Sequence, residues 1–257
     1  MLAQLNERLQ RKADMSGENL LEMDLHEQDL SGINLSRANF FDADLSGANL
    51  QNSILTSAVL SNAILVDANL TGTNLSVANL IKANMRGANL TQVNLIGAMM
   101  NKCNLSKAKM ERANAAGANL DRASLESTNL ISAVMSGCNL GHSLAKGANM
   151  TVANLMNATM EYSNLVNVNL TGAILDHSKM YGADLAGAFL IGTKLRYVDL
   201  RDANLQYTIL TGADLTGADL RGANLHGANL TAAILDDVLL DGAIMTNTVG
   251  YMKPGVH

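Results

Sequence analysis

Two cysteines, five histidines and scattered carboxylates are the residues of this 257-residue chain with the chemistry of nucleophiles, metal ligands or acid–base groups. Their spacing argues against all three roles. Cys103 and Cys138 are 35 residues apart, and no CxxC or HxxxH pattern offers a metal site. Both cysteines stand where the local pattern elsewhere places a small apolar residue, whereas a reactive thiol needs an exposed, electropositive setting. His26 and His226 are near opposite ends, and no Ser, His and Asp are spaced as a triad. No Gly-rich loop follows a strand and opens a helix to hold phosphate. The sequence therefore predicts no enzyme activity, no metal and no cofactor. What remains is binding, and that depends on how the chain displays its outward side chains.

The display follows a period of five. Every fifth residue from Met15 to Met245 is a centre: 47 in succession, of which 35 are Leu, nine are Met, and the others are Phe40, Ala115 and Ala145. A helix, at about 3.6 residues per turn, would spiral such centres around its axis. A flat strand would throw alternate centres to opposite faces. A short extended piece followed by a corner keeps them all inside. With the centre labelled i, residues i−2 and i point inward and i−1 points outward. Residues i+1 and i+2, rich in Ser, Thr and Gly, turn the corner. Gly at i+2, as at Gly217 and Gly227, suits unusual backbone angles. Asn or Asp at i−1 is placed to hydrogen-bond the neighbouring turn.

Runs such as Ala213-Asp214-Leu215-Thr216-Gly217 and Ala223-Asn224-Leu225-His226-Gly227 resemble the A(D/N)LXX repeat of the pentapeptide-repeat family, over roughly residues 13–248. The resemblance implies an all-β, right-handed quadrilateral parallel β-helix with four pentapeptides to a coil. At a strand spacing of about 4.8 Å, that is about twelve coils in a rod somewhat under about 60 Å long. The expected divisions are a short N-terminal capping helix over 1–13, the β-helix over 14–248 and a C-terminal tail or cap over 249–257. In the helix Leu2, Leu5 and Leu9 share a face; in the tail Tyr251 and Met252 are the capping residues.

A twenty-residue coil stacks residues into columns. Lys82, Lys102 and Arg122 then share one corner column, which His142 and Tyr162 continue; Tyr181, Arg201 and Arg221 run beside it. Arg86, Lys107, Lys109 and Arg112 broaden this basic zone. The bland reading is a solvated ladder, and the sharper one is a partner-binding stripe. Phe189, Ile191 and Ile209 form a small outward apolar cluster, a candidate dimer contact. Leu21, Phe41 and Ile81 share the basic corner nearer the N-terminus, either exposed or beneath the helix. Cys103 and Cys138 fall at i−2, nearly two coils apart, out of disulfide reach. Met100, Met110, Met135, Met150 and Met160 surround Ala115 and Ala145, so flexible Met fills the volume that Ala leaves, with a cavity as the alternative. Leu144 beside Ala145 hints at a bulge that turns Leu144 inward.

The net charge of −5 does not suggest direct nucleic-acid binding. No signal peptide or membrane-length apolar stretch is present, which predicts a cytoplasmic chain with no membrane contact. The leading expectation is a non-enzymatic protein-binding or scaffold rod with an unidentified protein partner, monomeric or weakly homodimeric. Family resemblance adds two alternatives. One is a DNA mimic that binds or protects a type II topoisomerase, DNA gyrase. Its usual acidity, Phe centres, interrupting loops and C-terminal dimerisation helix are not evident here. The other is a regulatory or secreted-effector partner.

Overall fold

A backbone that turns every five residues has to find partners for its N–H groups in neighbouring coils. A computed structural model, which describes Glu7 and residues 11–251, accounts for all five in one repeat. The Leu35 N–H donates to the Ile54 carbonyl at 2.7 Å and the Arg37 N–H to Thr56 at 2.9 Å. The Ala38 N–H closes the corner on Leu35 at 3.1 Å, and the Asn39 N–H reaches back to Glu18 at 2.9 Å. The fifth, from Ser36, is taken by the Asn34 side-chain oxygen at 3.1 Å. That last bond explains the Asn or Asp at i−1: it caps the one corner amide that takes no backbone partner from a neighbouring coil.

The ladder repeats every twenty residues. Parallel bridges between i−1 residues run from Asn19↔Asn39 to Asn229↔Val249. Four corners thus close each coil, and the chain is a β-helical solenoid. Some outward amides also stack, with Asn69 Nδ2 donating to Asn49 Oδ1 at 3.0 Å and Asn139 Nδ2 to Asn119 Oδ1 at 3.2 Å.

Each corner places its i+2 residue at φ near +60°, with a bond from the i+3 N–H to the i carbonyl. One positive φ at that place is the signature of a type II turn. Glycine is not required for it: thirty non-glycine residues adopt the same angle. Val152, at φ 51° and 52% exposed, is among the most strained, because a branched Cβ crowds the backbone there. Val152→Gly is expected to raise stability by roughly 0.5–1 kcal/mol in urea unfolding, with relief of strain exceeding the added unfolded-state entropy. A lower urea midpoint would show that Val152 packs more than it strains.

Inside, the centres and the i−2 residues form one continuous core, with Leu30 through Leu230 at most 1% exposed. Several hydroxyls at i−2 return their bonds to the wall, such as Thr73 Oγ1 to the Leu50 carbonyl at 2.6 Å and Thr193 Oγ1 to Leu170 at 2.8 Å, whereas the buried hydroxyls of Ser143 and Ser178 have no partner among the described residues. The expected bulge at Leu144 is absent. Leu144 points outward, 47% exposed, and bridges Ser124 and Asn164 in register, while Ala145 is fully buried. The ladder holds five-residue register here, so a one-residue slip would orphan its amides.

The capping helix expected over 1–13 lies almost wholly outside the described residues. Within them Glu7 is helical, and the Arg11 N–H donates to its carbonyl at 3.1 Å. At the other end the core opens. Leu235, Leu240 and Met245 are only partly buried, and their N–H groups meet no further coil among the described residues. The four outward residues of this last coil are all apolar: Ile234, Leu239, Ile244 and Val249, 46–55% exposed. The frame stops at Gly250, where a centre would fall. Its φ is +79°, and a Cβ there would sit 2.5 Å from the Thr231 backbone. Tyr251 packs against the open layer; Met252 lies outside the described residues.

Candidate interaction surface

The two polar columns expected from the repeat meet in the structure. His142 stacks on Tyr162 with ring centres 5.4 Å apart and planes 5° from parallel. Tyr162 meets Tyr181 edge-on at 5.4 Å, and the Arg201 guanidinium lies 5.6 Å from the Tyr181 ring centre. The stack is made possible by glycine one coil on: a Cβ at Gly182 would be 2.9 Å from the Tyr162 ring. Tyr197 and Tyr207 use Gly217 and Gly227 the same way. These glycines therefore provide room for a neighbour, a requirement that the turn angle alone does not impose.

The cations of the columns are of two kinds. Arg201 donates to both oxygens of Asp199 at 2.8 and 2.7 Å, and Arg221 does the same to Asp219 at 2.9 and 2.7 Å. Arg201 also lies 3.7 Å from Asp219, which links the two coils. Their charges are neutralised by an Asp two residues earlier. Glu161, Tyr181, Arg201, Asp202, Arg221 and Gly222 line a shallow open depression of about 520 Å³. The Asp202 carboxylate is the chief cause that raises the Tyr181 hydroxyl above its ordinary value.

Lys82 and Lys102 differ. Among the described residues neither side chain has an ion pair or hydrogen bond, and the Arg122 side chain has only Asp121 at 3.7 Å. The next corner around the coil carries Arg86, Lys107 and Lys146, also exposed and without an ion pair. Lys146 was not among the expected residues, although its place in the twenty-residue register marks it. Between the two corners runs one flat side whose outward residues are Asn84, Asn104, Ser124 and Leu144. Its borders thus hold six basic residues against the carboxylates of Asp121 and Glu126, on a chain of net charge −5. Lys109 and Arg112 lie beyond the second corner, on adjoining surface.

Phe189 and Ile191 are 41% and 40% exposed, and Ile209, bridged to Phe189, is half-buried. Leu21 is 41% exposed, while Phe41 and Ile81 are half-buried.

Several carboxyls are held below their ordinary value. The Arg201 side chain does this to Asp199 and the Arg221 side chain to Asp219. Burial works to raise Asp176, but the bonds donated by Arg196 outweigh it. A depressed folded pKa means stabilisation that is complete above the unfolded value of 3.8 and is lost as pH falls through the folded one. The urea midpoint is therefore expected to hold constant from about pH 7 to pH 5 and to drop below about pH 4. Asp199→Asn with Asp219→Asn should flatten that drop. An unchanged slope would remove these pairs from the acid response.

Burial pushes both cysteine thiols up to about 12, which leaves them protonated at neutral pH. Among the described residues no three His, Cys, Asp or Glu side chains converge to hold a metal, and no helix is long and apolar enough to cross a membrane.

A family model described as pentapeptide repeats, eight copies, matches the chain in overlapping segments from 19–56 through 108–144 to 208–247. No curated protein matches. Among solved structures, HetL, a pentapeptide-repeat protein involved in heterocyst differentiation regulation in the cyanobacterium Nostoc sp. strain PCC 7120, is 29% identical over 95% of each chain, with a TM-score of 0.31. Rfr23 from the cyanobacterium Cyanothece 51142 is 38% identical over 39% of this chain and 63% of its own, with a TM-score of 0.23. QnrB1, a plasmid-mediated fluoroquinolone resistance protein, is 19% identical over 86% of this chain and 91% of its own, at 0.36.

Proposed function

The chain belongs to the pentapeptide-repeat family, and from that premise we propose that it is a non-enzymatic binding rod that engages a protein partner through one outer side. The observation that carries the proposal is the side between Lys82, Lys102, Arg122 and Arg86, Lys107, Lys146. Stacked like charges about 5 Å apart are unfavourable. The fold does not require them, since the same corner accepts glycine at Gly182 and Gly222. Unneutralised charge that the fold does not need fits a surface kept for a partner.

The test is capture of partners from the native host with wild-type protein and with Lys82, Lys102 and Arg122 changed to Glu. Loss of capture supports this side. Retained capture that Phe189→Ser with Ile209→Ser abolishes would move the working face to the apolar cluster. Action on a type II topoisomerase as a DNA mimic is disfavoured by the cations of this side, which oppose a uniformly acidic surface. A gyrase supercoiling assay showing inhibition or protection would reverse that judgement.

Self-association, where it occurs, has two apolar surfaces to use. The last coil offers the larger, with Ile234, Leu239, Ile244 and Val249 around a half-exposed layer. In sedimentation, Ile244→Lys is expected to dissociate any dimer, whereas Phe189→Ser leaves it intact; the opposite result assigns the contact to Phe189, Ile191 and Ile209.

A further inference from the structure

The corner that carries Lys82, Lys102 and Arg122 contains its own control in the adjacent column. Farther along, Asp199 and Asp219 precede Arg201 and Arg221 by two residues and neutralise them. The residues at the same i−1 place, three before Lys82, Lys102 and Arg122, are Asn79, Met99 and Asn119. One corner thus uses both solutions: in the mid-rod coils the i−1 place supplies no carboxylate, and Asp121, 3.7 Å from Arg122, is the one ion-pair partner of these three cations among the described residues. The floor between the two cation rows also carries amide donors. Asn84 and Asn104 accept corner amides through Oδ1 at 3.3 and 3.0 Å, and their Nδ2 groups have no partner among the described residues. Cations on both borders and amide donors along the middle all call for acceptors.

The window is short. From the level of Lys82 to that of His142 is three coil steps, about 14 Å. Carboxylates bracket it at both ends on the same side and corners: Asp42, Asp44 and Asp67 before it, Glu161, Asp184 and Asp202 after it. A long polyanion such as a nucleic-acid strand would run onto these carboxylates. An extended peptide covers about 14 Å with four to five residues. Resting on the reading that this side is the working face, we infer that the partner presents a short extended acidic segment, about four to five residues long and flanked by non-acidic residues, which lies along the rod axis between the two cation rows.

Fluorescence anisotropy with the full chain tests this. The probes are a fluorescein-labelled peptide with a central run of about five Asp and Glu between Gly-Ser ends, and a labelled oligothymidylate of equal charge. The expected result is peptide binding that weakens with salt and exceeds oligothymidylate binding. It should fall at least about tenfold when Lys82, Lys102 and Lys107 are changed together to Glu. The Gln triple variant, which removes charge without reversing it, should fall less, and circular dichroism confirms that both variants fold. No peptide binding, equal binding by the Glu variant, or tighter oligothymidylate binding would overturn the inference. If the host partner is lost with the charge reversals but the peptide neither binds nor competes with it, the acidic-segment inference falls and the binding-side reading stands. If the host partner survives the reversals, that reading fails first.

Discussion

Leu155→Ala is expected to cost about 2–5 kcal/mol in urea unfolding, and Leu240→Ala, the same deletion in the last coil, about 1 kcal/mol. Leu155 is fully buried, with Met135 and Leu175 as the centres one coil below and above. Removing its side chain opens a void between two layers that cannot close, because the backbone ladder fixes the spacing of the coils. Among the described residues Leu240 has a layer on one side, and it is only partly buried. Its loss costs mainly the transfer of half a side chain. The contrast follows from a solenoid in which each coil contacts only its neighbours. Equal costs at the two positions would mean that something covers the last coil as completely as a further coil would.

That contrast also shows where reading the sequence succeeds. The period of five determines which residues face inward, and Leu155, Cys103 and Cys138 are buried as the period requires. The corner every five residues follows from the same argument, but the number of corners per coil does not: it needs the pairing of residues twenty apart, such as Asn19 with Asn39. Local packing was misread at Leu144, where a small centre beside a large outward residue suggested a slip. The backbone bonds outweigh the side-chain volume, since a slipped coil would orphan its amides on both neighbours. The apolar Ile234, Leu239, Ile244 and Val249 are visible as letters, yet isolated apolar residues at i−1 occur along the whole rod. Only the open layer beneath them gives the group a meaning. The division of the cations was legible in principle. An Asp at i−1 reaches an Arg at i+1 across one corner, as Asp199 does to Arg201, and Asn79, Met99 and Asn119, at i−1 of the corners that carry Lys82, Lys102 and Arg122, supply no such charge.

Asp176→Ala is expected to cost about 2 kcal/mol, more than other i+1 corner residues, because this carboxylate does work that its neighbour cannot. At an ordinary corner the i+1 amide is capped by the Asn or Asp at i−1. The Arg196 corner has Lys194 at that place, which offers no acceptor. Asp176, one coil below and only 3% exposed, substitutes for it: its Oδ1 accepts the Arg196 N–H at 3.0 Å. Its Oδ2 accepts from the Arg196 guanidinium, including Nε at 3.0 Å. The guanidinium is half-exposed and regains water when the carboxylate is removed, so most of the cost lies in the uncapped amide and the emptied buried site. Lys194→Asn should therefore be nearly neutral alone, because the amide is already capped. In the Asp176→Ala background it should restore about 1 kcal/mol by supplying the usual side-chain oxygen. A double-mutant cycle in urea measures this coupling. Strict additivity would show that the two residues do not share the Arg196 amide, and that the low exposure of Asp176 serves its ion pair alone.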